Sequence, residues 1–279
     1  MLKQRVITAL VLAPLMIGGI FFLPLYEFGL FVGAIAAVAA WEWAGLAGFS
    51  KQPSRIFYAL AMAVAVYISM QVRLEPGFEV YSLYAGFAWW LFSFGLVISY
   101  PKSAEIWANL PTRSIIGFIV LIPMWVGFMY LKSQDHSNWL IVYLMLVIWG
   151  ADTGAYVAGK TWGKAKLAPK VSPGKSWAGF WGGLATAMLV AAVFAYVWHT
   201  NIQALSGMAV LKLLVVAAIT MLASVLGDLV ESMFKRQRGI KDSSNLLPGH
   251  GGVLDRIDSM AAAVPVFALL LIVLDWRLV

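Results

Sequence analysis

Nine long apolar stretches dominate this chain of 279 residues and leave few folds open to it. Each is long enough to cross a hydrocarbon layer about 30 Å thick as an α-helix. They lie near residues 5–24, 28–48, 56–72, 78–98, 113–131, 138–158, 177–198, 211–233 and 259–276. Only 12% of the residues are charged, against roughly 25% in soluble domains. The sequence therefore predicts an all-α, polytopic integral membrane protein with about nine transmembrane helices.

Basic residues are distributed unevenly among the connectors, and this predicts the orientation in the membrane. With the N-terminus in the cytoplasm, sixteen of the twenty Lys and Arg residues fall on the cytoplasmic side. The outside would hold only Arg73, Lys132, Lys212 and Arg277. Because cytoplasmic loops are enriched in Lys and Arg, we expect a cytoplasmic N-terminus and a multi-pass location in the inner membrane of the cell. The net charge of +7 has the same explanation, so we expect no nucleic-acid partner.

Aromatic residues near the predicted helix ends are typical of the membrane–water interface, where amphipathic rings lie at headgroup level. We predict that position for Tyr26, Trp41, Trp43, Trp89, Trp90, Trp107, Trp139 and Trp276. This interpretation gives none of them a part in chemistry.

The segment from residue 228 to residue 258 contrasts with the apolar remainder, because it contains five basic and five acidic residues. An ionisable group at the centre of a bilayer costs roughly 2.5–3.5 kcal/mol on insertion scales. These groups therefore require water, one another or a charged ligand. The segment is the predicted functional site.

Acidic residues occur three apart at two predicted helix ends, as Asp228 with Glu231 and as Asp255 with Asp258. This spacing places each pair on one helix face, where like charges repel unless a proton or a cation lies between them. A hard cation such as Mg²⁺ takes oxygen ligands, and the chain has no cysteine for a zinc site. The structural alternative is that Asp255 pairs with Arg256 and that Asp258 stabilises a helix start.

Glycine and basic residues beside these acids indicate a ligand that carries phosphate. His250, Gly251 and Gly252 precede Asp255, and glycine lets backbone amides approach an anion closely. The neighbouring cations are Lys235, Arg236, Arg238 and Lys241. Together these residue types predict a metal and phosphate site.

A second basic connector, from residue 160 to residue 176, leads into a predicted helix. Lys175 and Ser176 lie at the start of that helix, where phosphates bind to free backbone amides. The sequence PKVSPGKS imitates a Walker loop, but Pro169 occupies the first glycine position and the setting is a membrane protein. We therefore predict phosphate contacts here without a P-loop.

Four acids leave alternatives open. Glu42 would extend to the interface, pair with a lysine or belong to the site, since acids within membrane helices are often functional. Asp152, Asp228 and Glu231 would line an ion pathway if the protein were a cation-coupled transporter. Transporters usually place such groups near the midplane between repeated halves, and this chain shows no repeat.

The segment Ser232–Asp258, SMFKRQRGIKDSSNLLPGHGGVLDRID, resembles the signature of phosphatidate cytidylyltransferases, also called CDP-diacylglycerol synthases. The shared features are the Lys-Arg pair, the Lys-Asp pair, L-P-x-H-G-G and D-R-x-D. Gly174 departs from the family pattern, which more often has lysine there. Because the resemblance is strong over about residues 150–260, we describe a single transmembrane domain over 1–279, with N-terminal helices over 1–135 and a catalytic half over 136–279.

The resemblance implies an enzyme of phospholipid biosynthesis that transfers a cytidylyl group from CTP to phosphatidate, giving CDP-diacylglycerol and pyrophosphate. It also implies Mg²⁺, a second cation such as K⁺, and a homodimer in the membrane lipid. A cation-coupled transporter remains the alternative function.

These expectations assign a role to each candidate residue. The metal ligands would be Asp228, Asp255 and Asp258, which we expect to be catalytic together with Lys175. The phosphates of CTP and phosphatidate would bind to Lys175, Ser176, Lys235, Arg236, Lys241 and Arg256. His250, Gly251 and Gly252 would shape the backbone around them, and Asp242 would orient a neighbouring Lys or Arg. The site would face the cytoplasm.

Overall fold

The computed structural model describes residues 2–275, and for residues 2–7 and residue 9 it describes the backbone alone. The helices in this part of the chain are α1 (Leu2–Phe22), α2 (Leu25–Ala47), α3 (Gln52–Val72), α4 (Phe78–Ser99), α5 (Ala104–Trp107), α6 (Leu110–Ser133), α7 (Ser137–Trp162), α8 (Trp177–Asn201), α9 (Gly207–Gln237) and α10 (Leu254–Val273). Two short strands, β1 (Lys166–Ala168) and β2 (Ser172–Ser176), pair antiparallel between α7 and α8. The predictions for Trp276 and Arg277 lie outside the described residues.

Each of the nine predicted apolar stretches coincides with a helix, and the predicted all-α polytopic class is confirmed. Eight helices are long and apolar enough to cross a membrane. α1 takes the ninth position, although its fully described portion, Leu10–Phe22, is shorter than a full span. The remaining helix, α5, is a single turn on a connector. The division at residue 135 stays a prediction.

Glycine residues allow α7 and α8 to pack backbone against backbone. A side chain at Gly182 of α8 would collide with Ala158 and with the carbonyl oxygen of Gly154, both on α7. Small residues at a helix contact permit this close approach in membranes, where van der Waals packing drives association. The pair therefore forms a tight unit that carries the hairpin at one end.

The central helix of the bundle is α10, whose residues from 259 to 269 are all buried. It packs against α9, α6 and α4. Gly227 of α9 faces the carbonyl oxygen of Asp258 on α10, with no room for a side chain between them. The two backbones therefore touch beside Asp228 and Asp258, which brings two predicted metal ligands onto neighbouring turns.

Helix boundaries in the charged segment differ from the prediction. α9 continues to Gln237, beyond the predicted end at residue 233, because basic residues near a helix C-terminus complement its dipole. α10 begins at Leu254, ahead of the predicted residue 259. Lys235, Arg236 and Asp255 therefore project from helices and not from a loop.

The predicted interfacial position is wrong for four of the tryptophans. Trp43, Trp89, Trp90 and Trp107 are 1–9% exposed and lie in the protein core. The indole nitrogen of Trp43 donates to the carbonyl oxygen of Arg113 at 2.8 Å, and its ring packs on Phe234. Buried indoles usually find such a partner, and through these contacts Trp43 ties α2 to α6 and α9.

Candidate active site

A buried lysine joins the two acidic helix ends at what we call the charged end, where α9 finishes and α10 starts. Lys235 Nζ lies 2.8 Å from Glu231 Oε2 and 2.7 Å from Asp255 Oδ1. The three side chains are between 4% and 10% exposed. Because removing one member of such a group leaves a buried, unpaired charge, these ion pairs fix the end of α9 against the start of α10.

Asp255 organises the glycine-rich segment that precedes it. Its Oδ2 accepts hydrogen bonds from the backbone of Ser243 at 2.9 Å, from the Ser243 hydroxyl at 2.9 Å and from the Gly252 backbone at 2.8 Å. Gly251 has a φ of 82°, a region that glycine occupies without strain. The Gly252 amide thus does approach an anion, and in this structure that anion is Asp255. The alternative pairing of Asp255 with Arg256 is wrong, because Lys235 is the partner.

Asp228 meets a lysine from the other basic connector. Lys175 Nζ on β2 lies 2.8 Å from Asp228 Oδ2, and the Ser232 hydroxyl donates to Oδ1 at 3.2 Å. Both charged side chains are partly open, at 25% and 31% exposed. The hairpin of β1 and β2 is held next to α9, since Arg236 Nε also donates to the carbonyl oxygen of Val171, in the turn of the hairpin. Lys175 therefore lies against α9, next to a predicted metal ligand.

Acidic side chains outnumber basic ones between α9 and α10. Asp258 interacts electrostatically with Asp228 and contacts Glu231. The second carboxylate oxygen of Glu231 is buried and has no hydrogen-bond partner among the described residues. Asp152 on α7 extends the cluster, because it interacts with Asp228, Lys175 and Arg256. The site therefore combines acids and cations from α7, β2, α9 and α10.

These acids fit a hard cation whose coordination is completed by other molecules. Within the described residues, no group of three or more acidic or histidine side chains forms a ready metal cage. Mg²⁺ commonly takes one or two carboxylates together with water and substrate phosphates. Asp228 and Asp258, with Glu231 beside them, match that pattern better than a closed protein site.

The other predicted residues surround this cluster in different ways. Ser176 is buried, and its hydroxyl accepts a hydrogen bond from the Gly179 backbone at 3.1 Å, which caps α8. His250 is half-buried, with Nδ1 lacking a partner in the described structure. The side chains of Lys241, Asp242 and Arg256 are exposed at the charged end. Asp242 forms no ion pair among the described residues, and its orienting role stays a prediction.

Sequence reasoning assigned no definite role to Glu42, which the structure places in contact with the signature. Its side chain lies on α2 and is 0% exposed. It accepts hydrogen bonds from the backbone of Val253 at 3.0 Å and of Leu254 at 2.6 Å. The expectations that Glu42 extends to the interface or pairs with a lysine are therefore wrong. An acid flanked by two tryptophans was the one available signal.

Comparison with known proteins gives one family over nearly the whole chain. The model of the cytidylyltransferase family matches residues 3–274. A phosphatidate cytidylyltransferase of Pseudomonas aeruginosa is 48% identical over 99% of both chains. One from Haemophilus influenzae is 41% identical over 96% of this chain and 98% of that protein, and one from Bacillus subtilis is 37% identical over 65% and 66%. This chain belongs to the cytidylyltransferase family.

Proposed function

We propose that the protein transfers the cytidylyl group of CTP to phosphatidate, forming CDP-diacylglycerol and releasing pyrophosphate. The observation that carries this proposal is the meeting of signature acids and lysines from α9, α10 and the hairpin at one end of a membrane bundle. The similar proteins bear the name of this activity. The family assignment favours an enzyme over the cation-coupled transporter.

The reaction joins two anions at a membrane surface. A phosphate oxygen of phosphatidate forms a bond to the α-phosphorus of CTP, and the bond from that phosphorus to the oxygen bridging the β-phosphate breaks. Pyrophosphate leaves with that oxygen. Because little covalent chemistry falls to the protein in phosphoryl transfer, catalysis consists of positioning the reactants and neutralising charge.

Cationic side chains of the site would bind the phosphates. Lys175 is partly open and paired with Asp228 alone, so it can exchange that partner for a nucleotide phosphate. Arg256 and Lys241 are exposed at the same end. Lys235 is buried between two acids, so a phosphate would reach it only inside the site, near the proposed cation. Arg236 and Ser176 complete the proposed phosphate contacts, and His250 with Gly251 and Gly252 shapes the backbone around them.

We propose Asp228, Asp255 and Asp258 as the residues that hold Mg²⁺. The ion would supply charge neutralisation on the nucleotide phosphates and the departing pyrophosphate. Asp228 and Asp258 have the least committed oxygens, whereas Asp255 already accepts from Lys235, Ser243 and Gly252. Coordination by Asp255 would therefore compete with Lys235. A second cation such as K⁺ and a homodimer stay predictions.

The charged end would face the cytoplasm of a cell whose inner membrane holds the protein. Support comes from the cations gathered there, since Arg113 at the start of α6 interacts with Arg238 at the end of α9. Cytoplasmic connectors carry most Lys and Arg. CTP would reach the site from water, and the acyl chains of phosphatidate would remain in lipid beside the helices.

A direct assay tests the proposal. Full-length protein purified in detergent is incubated with cytidine-labelled CTP, phosphatidate and MgCl₂. We expect label in the lipid fraction and one pyrophosphate released for each labelled lipid. If the purified protein is folded and no label enters the lipid fraction, the proposed function is overturned. Cation flux into liposomes that contain the protein would then favour the transporter.

A further inference from the structure

A carboxylate from the N-terminal half of the chain is built into the signature segment. Glu42 Oε1 accepts from the Ser244 hydroxyl and the Val253 backbone, and Oε2 accepts from the Leu254 backbone. The Ser243 hydroxyl lies 3.3 Å from Oε2. Arg55 adds an electrostatic interaction. A carboxylate this deeply buried persists only where donors replace its water, and here four groups of the signature segment face it.

Glu42 acts as the cap of α10, although it belongs to α2. The N-cap residue Val253 offers no side-chain hydrogen bond, so the first backbone N–H groups of α10 need another acceptor. Glu42 supplies it across more than two hundred residues of sequence. A negative charge at a helix N-terminus is also favoured by the helix dipole.

Two carboxylates hold the same segment, and both lie within hydrogen-bond distance of the Ser243 hydroxyl. Asp255 binds Ser243 and Gly252, while Glu42 binds Ser244, Val253 and Leu254. A side chain at Gly252 would run into both Glu42 and Ser243. The second glycine of the signature therefore makes room for Glu42, a role that is independent of any bound phosphate.

We propose that Glu42 is a positioning residue for the reaction. Its buried carboxylate fixes the segment Ser243–Leu254 and the first turn of α10, and through them the positions of Asp255 and Asp258. This inference rests on the proposed function, because it assigns Glu42 to the nucleotide and cation side of that site. The N-terminal helices are then part of the active site and not only a lipid-facing scaffold.

Kinetics of Glu42→Gln in the full-length protein test this role. The variant keeps the side-chain shape but loses the charge and turns one acceptor into a donor. We expect the KM for CTP to rise about tenfold or more, since bonds to a charged group are lost, while the KM for phosphatidate changes less than about twofold. A purely structural role would reduce the amount of folded enzyme and leave both KM values unchanged.

Matched variants make every outcome decisive. Glu27→Gln replaces an exposed acid on the same helix, and we expect wild-type kinetics. If Glu42→Gln does not fold, Ser244→Ala removes one donor to Glu42 and should raise the KM for CTP severalfold. If Glu42→Gln folds and its KM for CTP is unchanged, the inference is overturned. If Glu42→Gln does not fold, an unchanged KM for CTP in Ser244→Ala overturns it. An inactive wild-type enzyme would instead overturn the proposed function.

Discussion

The two ends of the helical bundle use lysine differently. At the end opposite the charged end, Lys212 donates to the carbonyl oxygen of Leu274 at 2.8 Å, and Lys132 donates to that of Ile20. These carbonyls lie at helix C-termini, where a cation is stabilising. At the charged end, Lys175 and Lys235 instead bind carboxylates from other elements. Lysines that bind helix-end carbonyls stabilise the fold. Lysines paired with acids could, in the proposed function, exchange the acid for a phosphate, which would free the acid for a cation.

The largest expected effect is at Asp228. Asp228→Asn removes one charge from the proposed cation site while keeping the side-chain shape, and the residue is partly open. We expect kcat to fall about 10³-fold, because metal-assisted charge stabilisation contributes several kcal/mol. The measurement is turnover of labelled CTP at saturating substrate, with Glu105→Gln, an exposed acid on α5, as the control. Activity within a factor of two of wild type would remove Asp228 from the site.

The next largest effect is expected at Lys175. Its substitution tests whether a lysine paired with an acid contributes to activity. Lys175→Met should lower kcat/KM for CTP about 10²-fold, as expected when a group that contacts the transferring phosphates is lost. Lys170→Met, an exposed lysine in the same hairpin region, should retain nearly full activity. In the double variant with Asp228→Asn the two losses should be less than additive, because the residues are in contact. Strict additivity would contradict their shared role.

A smaller effect is expected on stability at Gly251. A methyl group at this position would be strained by the φ of 82° and would collide with the Asp255 carboxylate. Gly251→Ala should lower the free energy of unfolding by about 1–3 kcal/mol, seen as a lower Tm in detergent. Gly174→Ala is the control, since open space surrounds that position. Equal Tm values for the two variants would show that the signature segment is not held as tightly as its hydrogen bonds imply.

The smallest effect should come from the other end of the bundle. Lys212→Met removes the hydrogen bond to Leu274 and should cost about 0.5–1.5 kcal/mol of stability. Activity per folded molecule should stay at the wild-type level. If this variant lost CTP turnover as strongly as Lys175→Met, the contrast between the two ends would fail.

The sequence predicted the helices well because long apolar stretches have few alternatives in a membrane. The sequence also predicted that Lys175, Asp228 and Asp258 belong to one site, since charge at helix ends has to be paired or solvated. Composition alone did not predict the hairpin of β1 and β2, whose strands have only three and five residues.

The tertiary contacts of individual side chains could not be predicted from the sequence. Trp43 resembled an interfacial residue because it is near a helix end, but burial depends on which helices surround that end. Glu42 had no local pattern that pointed to α10, since its donors are more than two hundred residues away. Such contacts follow from tertiary packing, which periodicity and spacing along one helix do not encode.

The contact at Gly227 controls the spacing of the acidic cluster. Because main chain touches main chain there, the gap between the carboxylates of Asp228 and Asp258 is set by the crossing of α9 and α10. A single methyl group at position 227 would force the helices apart and widen that gap, which would disturb the proposed cation site.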